Sequence, residues 1–241
     1  RCRMTKKQPI LLTEAHHGGI LVSFYKAIMD LCGRDRGYDL FMTASRAYGE
    51  RRGRRMALRA VRDGNPLDVT SYFAYSELLC TDKGLMDESS YEACGGTVHE
   101  CQRDCLWARE FRAMDCLQCG IDYCKEIDGS VVRGFNPAMG FECMQNMHLS
   151  SSCEFYFHSP EVKSDFMATF ASRLKPGQNV KREMAYHCAD VYNMLCHIVS
   201  QALPEESADL ISRVRDMLKE RYGEEFLPVL DSYSDTDFDK I

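Results

Sequence analysis

Two residues in the middle of the chain, Cys105 and Asp128, have side chains suited to nucleophilic and acid–base chemistry. Cys105 stands directly before a stretch with helical spacing, and a helix N-terminus lowers the pKa of a thiol and so increases its reactivity. Asp128 could orient a base, polarise a water molecule or hold an amidinium group through a pair of hydrogen bonds. Each also has a purely structural interpretation, since cysteine is usually a small buried residue and aspartate is common in turns.

Four further residues could belong to a site for a small molecule. Asn136 precedes a proline, so its amide could either point into a pocket beside Asp128 or form a turn. His187 and Asp190 lie three residues apart and share a helix face, where they could act as a general base and its orienting carboxylate, or could simply be buried. Cys153 begins a segment with strand alternation, for which packing in the core is the simpler interpretation.

Arginines are concentrated in one part of the chain, at positions 46, 51, 52, 54, 55, 59 and 62. A guanidinium group matches a carboxylate through two hydrogen bonds, so one or two of these arginines could bind an anionic substrate. Runs of charge on a helix usually form a solvated face, which is the interpretation we expect for most of them.

The pair Cys116 and Cys119 has the spacing of a zinc or redox motif. Structural zinc sites usually combine two such pairs, or one pair with two histidines at matched spacing; the sequence has one pair, which His99 and His148 could complete. A redox dithiol is disfavoured because no alternation of strands and helices surrounds the pair. We therefore expect neither a metal nor a cofactor.

Four sequence features occur together between residues 99 and 158. They are a cysteine followed by an aromatic residue and alanine, a cysteine and an aspartate, a Gly-Phe-Asn-Pro element, and a strand that begins Cys-Glu-Phe. Here these features are Cys105 with residues 107–108, Cys124 with Asp128, residues 134–137, and residues 153–155. On these motifs, residues 14–158 resemble the L-2-amino-thiazoline-4-carboxylate hydrolase family, although one residue more than the resemblance implies separates Cys124 from Asp128.

The resemblance implies an enzyme that opens a small cyclic amidine or isothiourea, or a related heterocycle. The model reaction converts 2-amino-thiazoline-4-carboxylate into N-carbamoyl-cysteine by attack of a cysteine or a water molecule on the ring carbon. Together with the helix face noted above, the candidate catalytic residues are Cys105, Asp128 and His187. The candidate substrate-binding residues are Asn136, Cys124, Cys153 and Asp190.

The expected partner is a small-molecule substrate, and two other classes of protein stay open. One is a non-enzymatic small-molecule-binding or sensor domain, because the same features also resemble ligand-binding domains of the vinyl-reductase type. The other is a scaffold that forms a homodimer through its C-terminal helices. A cavity with titratable groups would favour the enzyme, and an entirely apolar cavity would favour the binding domain.

Composition argues against several classes of protein. With 30 basic and 36 acidic residues the chain has a formal charge of -6, which disfavours general binding to nucleic acid or to an anionic membrane surface. No stretch approaches the roughly 18 apolar residues needed to span a membrane. The 13 cysteines are odd in number, and the sequence has no secretory apolar segment, so we expect reduced thiols in the cytoplasm.

The elements that must position these residues can be predicted from spacing and turn signals. Helical spacing predicts helices over residues 14–32, 37–62, 66–80, 105–114, 117–133, 162–174, 181–201 and 204–222, with Asn65 as N-cap of the third. Gly95-Gly96 predicts a hairpin of residues 89–94 with 97–103. Alternation over residues 141–147 and 153–157 predicts a second hairpin.

We therefore expect an α+β fold with N-terminal helices, a short four-stranded antiparallel sheet of two hairpins with intervening helices, and a C-terminal helical extension. Residues 1–158 would form the hydrolase-like domain, residues 159–230 a helical extension packed on the same core, and residues 231–241 an acidic, disordered tail. The ligand pocket should lie between the sheet and the helices, with Cys105 and Asp128 converging on it.

Overall fold

The computed structural model describes residues 10–82, 89–162 and 165–241. Its first part contains helices α1 (Glu14–Cys32), α2 (Arg34–Arg62) and α3 (Val69–Ala74). The middle part contains β1 (Ser89–Cys94), β2 (Thr97–Gln102), α4 (Leu106–Ala113), α5 (Leu117–Phe135), β3 (Gly140–Gln145) and β4 (Cys153–His158). The last part contains α6 (Phe166–Thr169), a 3-10 helix (Phe170–Arg173), α7 (Met184–Ala202), α8 (Ser207–Tyr222) and α9 (Phe226–Asp231).

The four strands form one antiparallel sheet in the order β1-β2-β4-β3, built from two hairpins. In this register Glu100 lies between Tyr91 of β1 and Phe155 of β4, and Val98 pairs with Phe157. Because side chains alternate along a strand, these residues share one face of the sheet. Val98 and Phe157 are buried, so this is the inner face. The predicted α+β fold is confirmed.

Helices α2 and α5 pack closely because glycines lie where they cross. A Cβ atom added to Gly53 would lie 2.0 Å from the carbonyl oxygen of Val131, and one added to Gly134 would lie 2.2 Å from the carbonyl oxygen of Glu50. Only a hydrogen atom fits in these spaces, so no other residue type is compatible with the crossing. The close approach brings polar side chains of both helices to the same side of the sheet.

Two predicted helices differ from the structure. The third begins after Asp68 rather than Asn65, because the Asp68 carboxylate accepts a hydrogen bond from the N–H of Ser71 (2.8 Å). The Asn65 amide instead donates to the carbonyl oxygen of Arg173 (2.8 Å), and the helix ends at Ala74. The helix predicted over 162–174 is the short α6 followed by the 3-10 helix, and residues 163–164 lie outside the described part of the chain.

The prediction that the arginine cluster forms a solvated face is wrong for the arginines at positions 51, 52, 55 and 59, which are buried. Arg55 donates to both carboxylate oxygens of Glu77 (2.9 and 2.8 Å) and to Asp190 (2.8 Å). Another of its N–H groups donates to the carbonyl oxygen of Phe238 (2.6 Å). Arg51 forms an ion pair with Asp190, and Arg59 forms one with Glu77. We call these five residues the Arg55 network: Arg51, Arg55, Arg59, Glu77 and Asp190.

The acidic segment after α9 packs on the helices, which differs from the disordered tail predicted for residues 231–241. Phe238 is 3% exposed, and its ring lies 5.4 Å from the guanidinium carbon of Arg51 and 5.3 Å from the ring of Tyr186. Burial of this aromatic side chain and the hydrogen bond from Arg55 to its carbonyl oxygen hold a segment that is otherwise rich in aspartate. The predicted domain boundaries near residues 158 and 230 stay predictions.

The apolar face of α7 is covered by other helices of the same chain. Cys188, Val191 and Leu195 are buried, and α7 packs against α1, α2 and α8. This face therefore offers no support for the scaffold that was expected to dimerise through it. None of the described helices combines the length and the apolar character needed to cross a membrane.

Candidate functional site

A cavity of about 340 Å³ lies between the inner face of the sheet and helices α2 and α5. Residues just before α4 and residues around α3 complete its walls. Aromatic and aliphatic side chains form most of the lining, with a few polar groups among them, which is typical of sites for small molecules. The lining residues with thiol or charged side chains are Glu14, Arg52, Cys80, Glu100, Asp104, Cys105, Cys124, Asp128, Cys153 and Lys181.

Asp128 stands on the face of α5 that forms one wall of the cavity. Burial raises the pKa of its carboxyl group to about 6, and the charge of Arg52 offsets part of that increase. Cys124 lies one helical turn earlier, so the unexpected interval between the two residues still places both side chains on one helix face. A carboxyl group with a pKa near neutrality can accept and release a proton during a reaction.

Glu100 supplies a second carboxyl group, which was not among the predicted site residues. Burial raises its pKa to about 7; the hydrogen bond from the Tyr91 hydroxyl (3.0 Å) opposes this shift, and the charge of Asp128 adds to it. The residue occupies an inward position of β2, where its cross-strand partner on β4 is Phe155. An acid at an apolar position of an alternating strand is the sequence signal that could have identified it.

Arg52 brings a positive charge to the same cavity. The residue is 8% exposed, and its Nε has no hydrogen-bond partner. Within the described ranges no carboxylate forms an ion pair with it, and its guanidinium carbon lies 5.5 Å from the centre of the Tyr48 ring. A buried guanidinium without an acidic partner is unfavourable unless a ligand supplies the negative charge. Arg52, with Lys181 as a second cation in the lining, is therefore suited to bind a carboxylate.

Cys105, Cys124 and Cys153 line the cavity together with Asp128. Cys105 is the N-cap of α4, but burial raises the pKa of its thiol more than the nearby backbone N–H groups lower it. The expectation of a lowered pKa at this helix start is therefore wrong. Burial also raises the pKa of Cys153 to about 12 and that of Cys124 well above its usual value. All three are neutral thiols at neutral pH.

A buried hydrogen-bond chain holds the wall beside Cys105. Trp107 donates from its indole N–H to Nδ1 of His17 (2.9 Å), and Nε2 of His17 lies 3.0 Å from the hydroxyl of Tyr48. Burial lowers the pKa of His17 well below its usual value, so the imidazole is neutral and Nε2 carries its proton. The first helix thereby fixes the position of the indole that lines the cavity.

Asn136 lies outside the cavity. Its amide donates to the carbonyl oxygen of Leu67 (2.7 Å), and its Oδ1 accepts a hydrogen bond from the N–H of Ala138 (2.9 Å). These bonds close the C-terminal end of α5. The structure therefore places Asn136 in a turn, which is one of its two sequence interpretations. It does not bring the Asn136 amide into the cavity beside Asp128.

His187 and Asp190 also lie outside the cavity. Asp190 is fully buried in the Arg55 network, and Nε2 of His187 donates to the backbone carbonyl oxygen of Glu77 (3.3 Å). Burial lowers the pKa of His187 to about 3, so its imidazole stays neutral. The structure separates this pair from Cys105 and Asp128, and both residues belong to the core.

The described residues contain no group of three or more His, Cys, Asp or Glu side chains that could hold a metal ion. Cys116 and Cys119, the pair with zinc-motif spacing, stand at the start of α5 and do not line the cavity. The groups available for chemistry in the cavity are carboxyl, thiol, guanidinium and tyrosine hydroxyl groups together with the amine of Lys181.

Residues 14–157 match the protein family described as L-2-amino-thiazoline-4-carboxylic acid hydrolase. The match spans more than half of the chain, from α1 to β4, and includes most of the cavity lining. The chain therefore belongs to this family, and the resemblance inferred from the motifs around Cys105 and Asp128 is confirmed. Neither the curated proteins nor the solved structures include a match to it.

Proposed function

We propose that the protein is a hydrolase that opens the ring of 2-amino-thiazoline-4-carboxylate or of a closely related cyclic isothiourea or amidine. The observation that carries this proposal is the cavity, where the unpaired guanidinium of Arg52 stands with two carboxyl groups of raised pKa, Glu100 and Asp128. Such a substrate has one carboxylate and one electron-poor carbon bonded to nitrogen and sulfur, so its charges complement those of the cavity. The family name also supports the proposal.

In the proposed reaction one water molecule is consumed, and the ring bond between the amidine carbon and sulfur breaks. The water oxygen becomes the carbonyl oxygen of the carbamoyl group, and the released thiolate takes up a proton. Asp128 accepts the proton of the attacking group, while protonated Glu100 donates one to the leaving sulfur or the ring nitrogen. Carboxyl pKa values of about 6 and about 7 suit these two roles near neutral pH.

The attacking group is either a water molecule or the thiol of Cys105. Attack by the thiol would form a covalent isothiourea on Cys105, which water then hydrolyses. Because burial raises the thiol pKa, this route also requires a base, and the charge of Asp128 already acts on Cys105. Asp128 is thus the proton acceptor in both routes.

The test is incubation of the purified protein with 2-amino-thiazoline-4-carboxylate. After removal of the protein, a thiol reagent and mass spectrometry measure the product, which is heavier than the substrate by one water molecule. Asp128→Asn is expected to lose ring opening, and Cys94→Ala, an exposed cysteine outside the cavity, is expected to retain it. Loss in Cys105→Ala indicates thiol attack, and retention there indicates water attack. Parental rates in both Cys105→Ala and Asp128→Asn contradict the proposal.

A non-enzymatic binding or sensor domain is the second candidate, and the aromatic part of the lining favours it: Tyr72, Phe73, Tyr91, Trp107, Tyr123, Phe155 and Phe157. Such a domain would hold its ligand without altering it. The two carboxyl groups of raised pKa in the cavity, Glu100 and Asp128, support the enzyme instead, because binding alone does not need carboxyl groups with shifted pKa values. Calorimetric binding of the ring compound, followed by recovery of the unaltered molecule, would favour the sensor.

A further inference from the structure

Cys116 stands at the junction of α4 and α5, where the backbone of both helices fixes its position. Its N–H donates to the carbonyl oxygen of Phe111 (2.9 Å), and the N–H of Asp115 donates to the carbonyl oxygen of Arg112 (3.0 Å). With Asp115 at a φ of 49°, these two bonds form the Schellman motif that ends α4. Cys116 is at the same time the N-cap of α5.

Cys119 is the third residue of α5, and side chains at the N-cap and third positions face each other across the first turn. Stabilisation of the Cys116 thiolate by the thiol and backbone N–H of nearby Cys119, together with the charge of Lys26, outweighs burial and lowers the pKa of Cys116 to about 7. Burial raises the pKa of Cys119 well above its usual value, so the two thiols differ strongly in acidity.

The two sulfurs also differ in access to solvent. Cys116 is 8% exposed and is flanked by the exposed residues Asp115 and Leu117, whereas Cys119 is fully buried. A more acidic cysteine that is slightly exposed, followed after two residues by a fully buried one, favours thiol–disulfide exchange. The cysteines of the cavity lack this asymmetry, since burial raises the pKa values of Cys105, Cys124 and Cys153.

We propose, against the expectation from the sequence context, that Cys116 and Cys119 form a redox-active dithiol that exchanges with small disulfides, a property separate from ring opening in the cavity. The thiolate of Cys116 attacks one sulfur of the small disulfide, forms a mixed disulfide and releases one thiolate. The thiol of Cys119 then loses its proton and attacks the sulfur of Cys116, which releases the second thiolate. One disulfide bond forms in the protein and one breaks in the partner, while two protein thiols supply the protons for two small thiols.

The first experiment treats the full chain with oxidised glutathione at pH 7, blocks free thiols with N-ethylmaleimide, and maps disulfides by mass spectrometry of fragments. The parent and Cys94→Ser are expected to contain a Cys116–Cys119 disulfide. Cys119→Ser should retain glutathione on Cys116, and Cys116→Ser should yield neither product. The proposal is overturned if the parent forms no Cys116–Cys119 disulfide while the exposed Cys94 takes up glutathione, or if the adduct forms on Cys119.

A second measurement uses the unaltered protein, so it does not depend on variants that fail to fold. The rate at which iodoacetamide alkylates Cys116 is followed from pH 5 to pH 10, with mass spectrometry to separate it from the other cysteines. The rate should rise with a midpoint near pH 7, as expected for its thiolate. A midpoint near pH 9, where an ordinary thiol ionises, would overturn the proposal. Neither experiment depends on whether the cavity opens thiazoline rings.

Discussion

Arg52 and Arg55 lie three residues apart on α2 and are both buried, yet their surroundings are opposite. Arg55 donates hydrogen bonds to Glu77, to Asp190 and to the backbone carbonyl of Phe238. Arg52 faces the cavity, and no carboxylate within the described ranges forms an ion pair with it. Both arginines are buried, so burial does not distinguish their roles. The ion pairs with carboxylates do: the arginine that has them stabilises the fold, and the arginine that lacks them can bind a ligand.

Glu77 of the Arg55 network and Asp128 of the cavity have pKa shifts of opposite direction, whereas burial raises the pKa of Asp190 despite its two arginine partners. Burial alone would raise the pKa of Glu77, but Arg55 and Arg59 hold it at about 2. Asp128 has only Arg52 to offset burial, and its pKa is about 6. At neutral pH the ionised carboxylate of Glu77 therefore stabilises the folded state, whereas that of Asp128 destabilises it. The cavity retains reactive groups at some cost in stability.

The largest effect is expected from Asp128→Asn. Loss of the proton acceptor should lower kcat for ring opening about 10²- to 10⁴-fold. The free energy of unfolding at pH 8 should stay the same or rise, because the variant removes a poorly compensated buried charge. Glu126→Gln is the matched control, since Glu126 is on the same helix but outside the cavity, where it accepts a hydrogen bond from Arg46 (3.2 Å). Equal losses of activity in both variants would contradict the assignment of Asp128 as the proton acceptor.

Glu77→Gln in the Arg55 network should have the opposite consequence for stability. Arg59 loses its carboxylate partner and Arg55 keeps only Asp190, so the free energy of unfolding at pH 7 should fall by about 3–5 kcal/mol. Because the folded pKa of Glu77 is lowered, its contribution is present above its unfolded pKa and is lost as pH falls toward 2. Urea denaturation at pH 7 and pH 3 measures this difference, which should be smaller at pH 3.

Asp30→Asn serves as the control for Glu77→Gln, because Asp30 pairs with Arg213 while both side chains are more than half exposed. An exposed ion pair contributes about 0–1 kcal/mol, so this variant should be nearly as stable as the parent. A Glu77→Gln protein as stable as Asp30→Asn would mean that the Arg55 network does not hold the fold.

Arg52→Gln should weaken substrate binding. A hydrogen bond to a charged group contributes about 1.5–3 kcal/mol, so KM for the carboxylate-bearing substrate should rise roughly 10- to 100-fold while kcat changes little. Arg54→Gln, an exposed arginine on the same helix, should leave KM unchanged. An unchanged KM in Arg52→Gln would show that the substrate carboxylate binds elsewhere.

The pH dependence of activity tests the two carboxyl groups together. Asp128 must be ionised and Glu100 protonated, so kcat/KM should be highest between about pH 6 and pH 7 and fall on both sides. Glu100→Gln should lower the rate and remove the decline on the alkaline side. Since both folded pKa values are raised, the stability these groups contribute is complete below their unfolded pKa values and is lost as pH rises through 6 to 7. A rate that keeps rising to pH 9 would contradict this assignment.

The smallest effect is expected from Asn136→Ala, which removes the turn bonds to Leu67 and Ala138. The free energy of unfolding should fall by about 1 kcal/mol, and kcat/KM should remain at the parental value. Thermal denaturation and the ring-opening assay on the same sample measure both. A large loss of activity with little loss of stability would indicate that Asn136 takes part in the functional site.

The hairpins and the first helix could be predicted from the sequence because their signals are local. Gly95 and Gly96 have positive φ values of 57° and 82°, as a tight hairpin turn requires, and Gly33 ends α1 with a φ of 76°. The convergence of Cys105 and Asp128 on one cavity could be expected only through the family resemblance. Spacing alone places Asp128 on a helix face but does not indicate what lies opposite.

The charged parts of the two regions could not be predicted, because their partners are distant in the chain. Asp190 is 135 residues from Arg55, and no local pattern separates Arg55 from the exposed Arg54. His187 and Asp190 do share a helix face, as their spacing indicates, but that face turns toward the Arg55 network. Helical periodicity identifies a face and leaves open whether a cavity or a salt-bridge network covers it.

The hydrogen bond from Arg55 to the backbone of Phe238 spans 183 residues. At roughly 5–20 residues per second, a ribosome needs on the order of 10–40 s to synthesise the intervening chain. During that time Arg55 can reach Glu77 but still lacks the carbonyl acceptor that Phe238 supplies. A chaperone that shelters this helix on the nascent chain should therefore increase the yield of native protein.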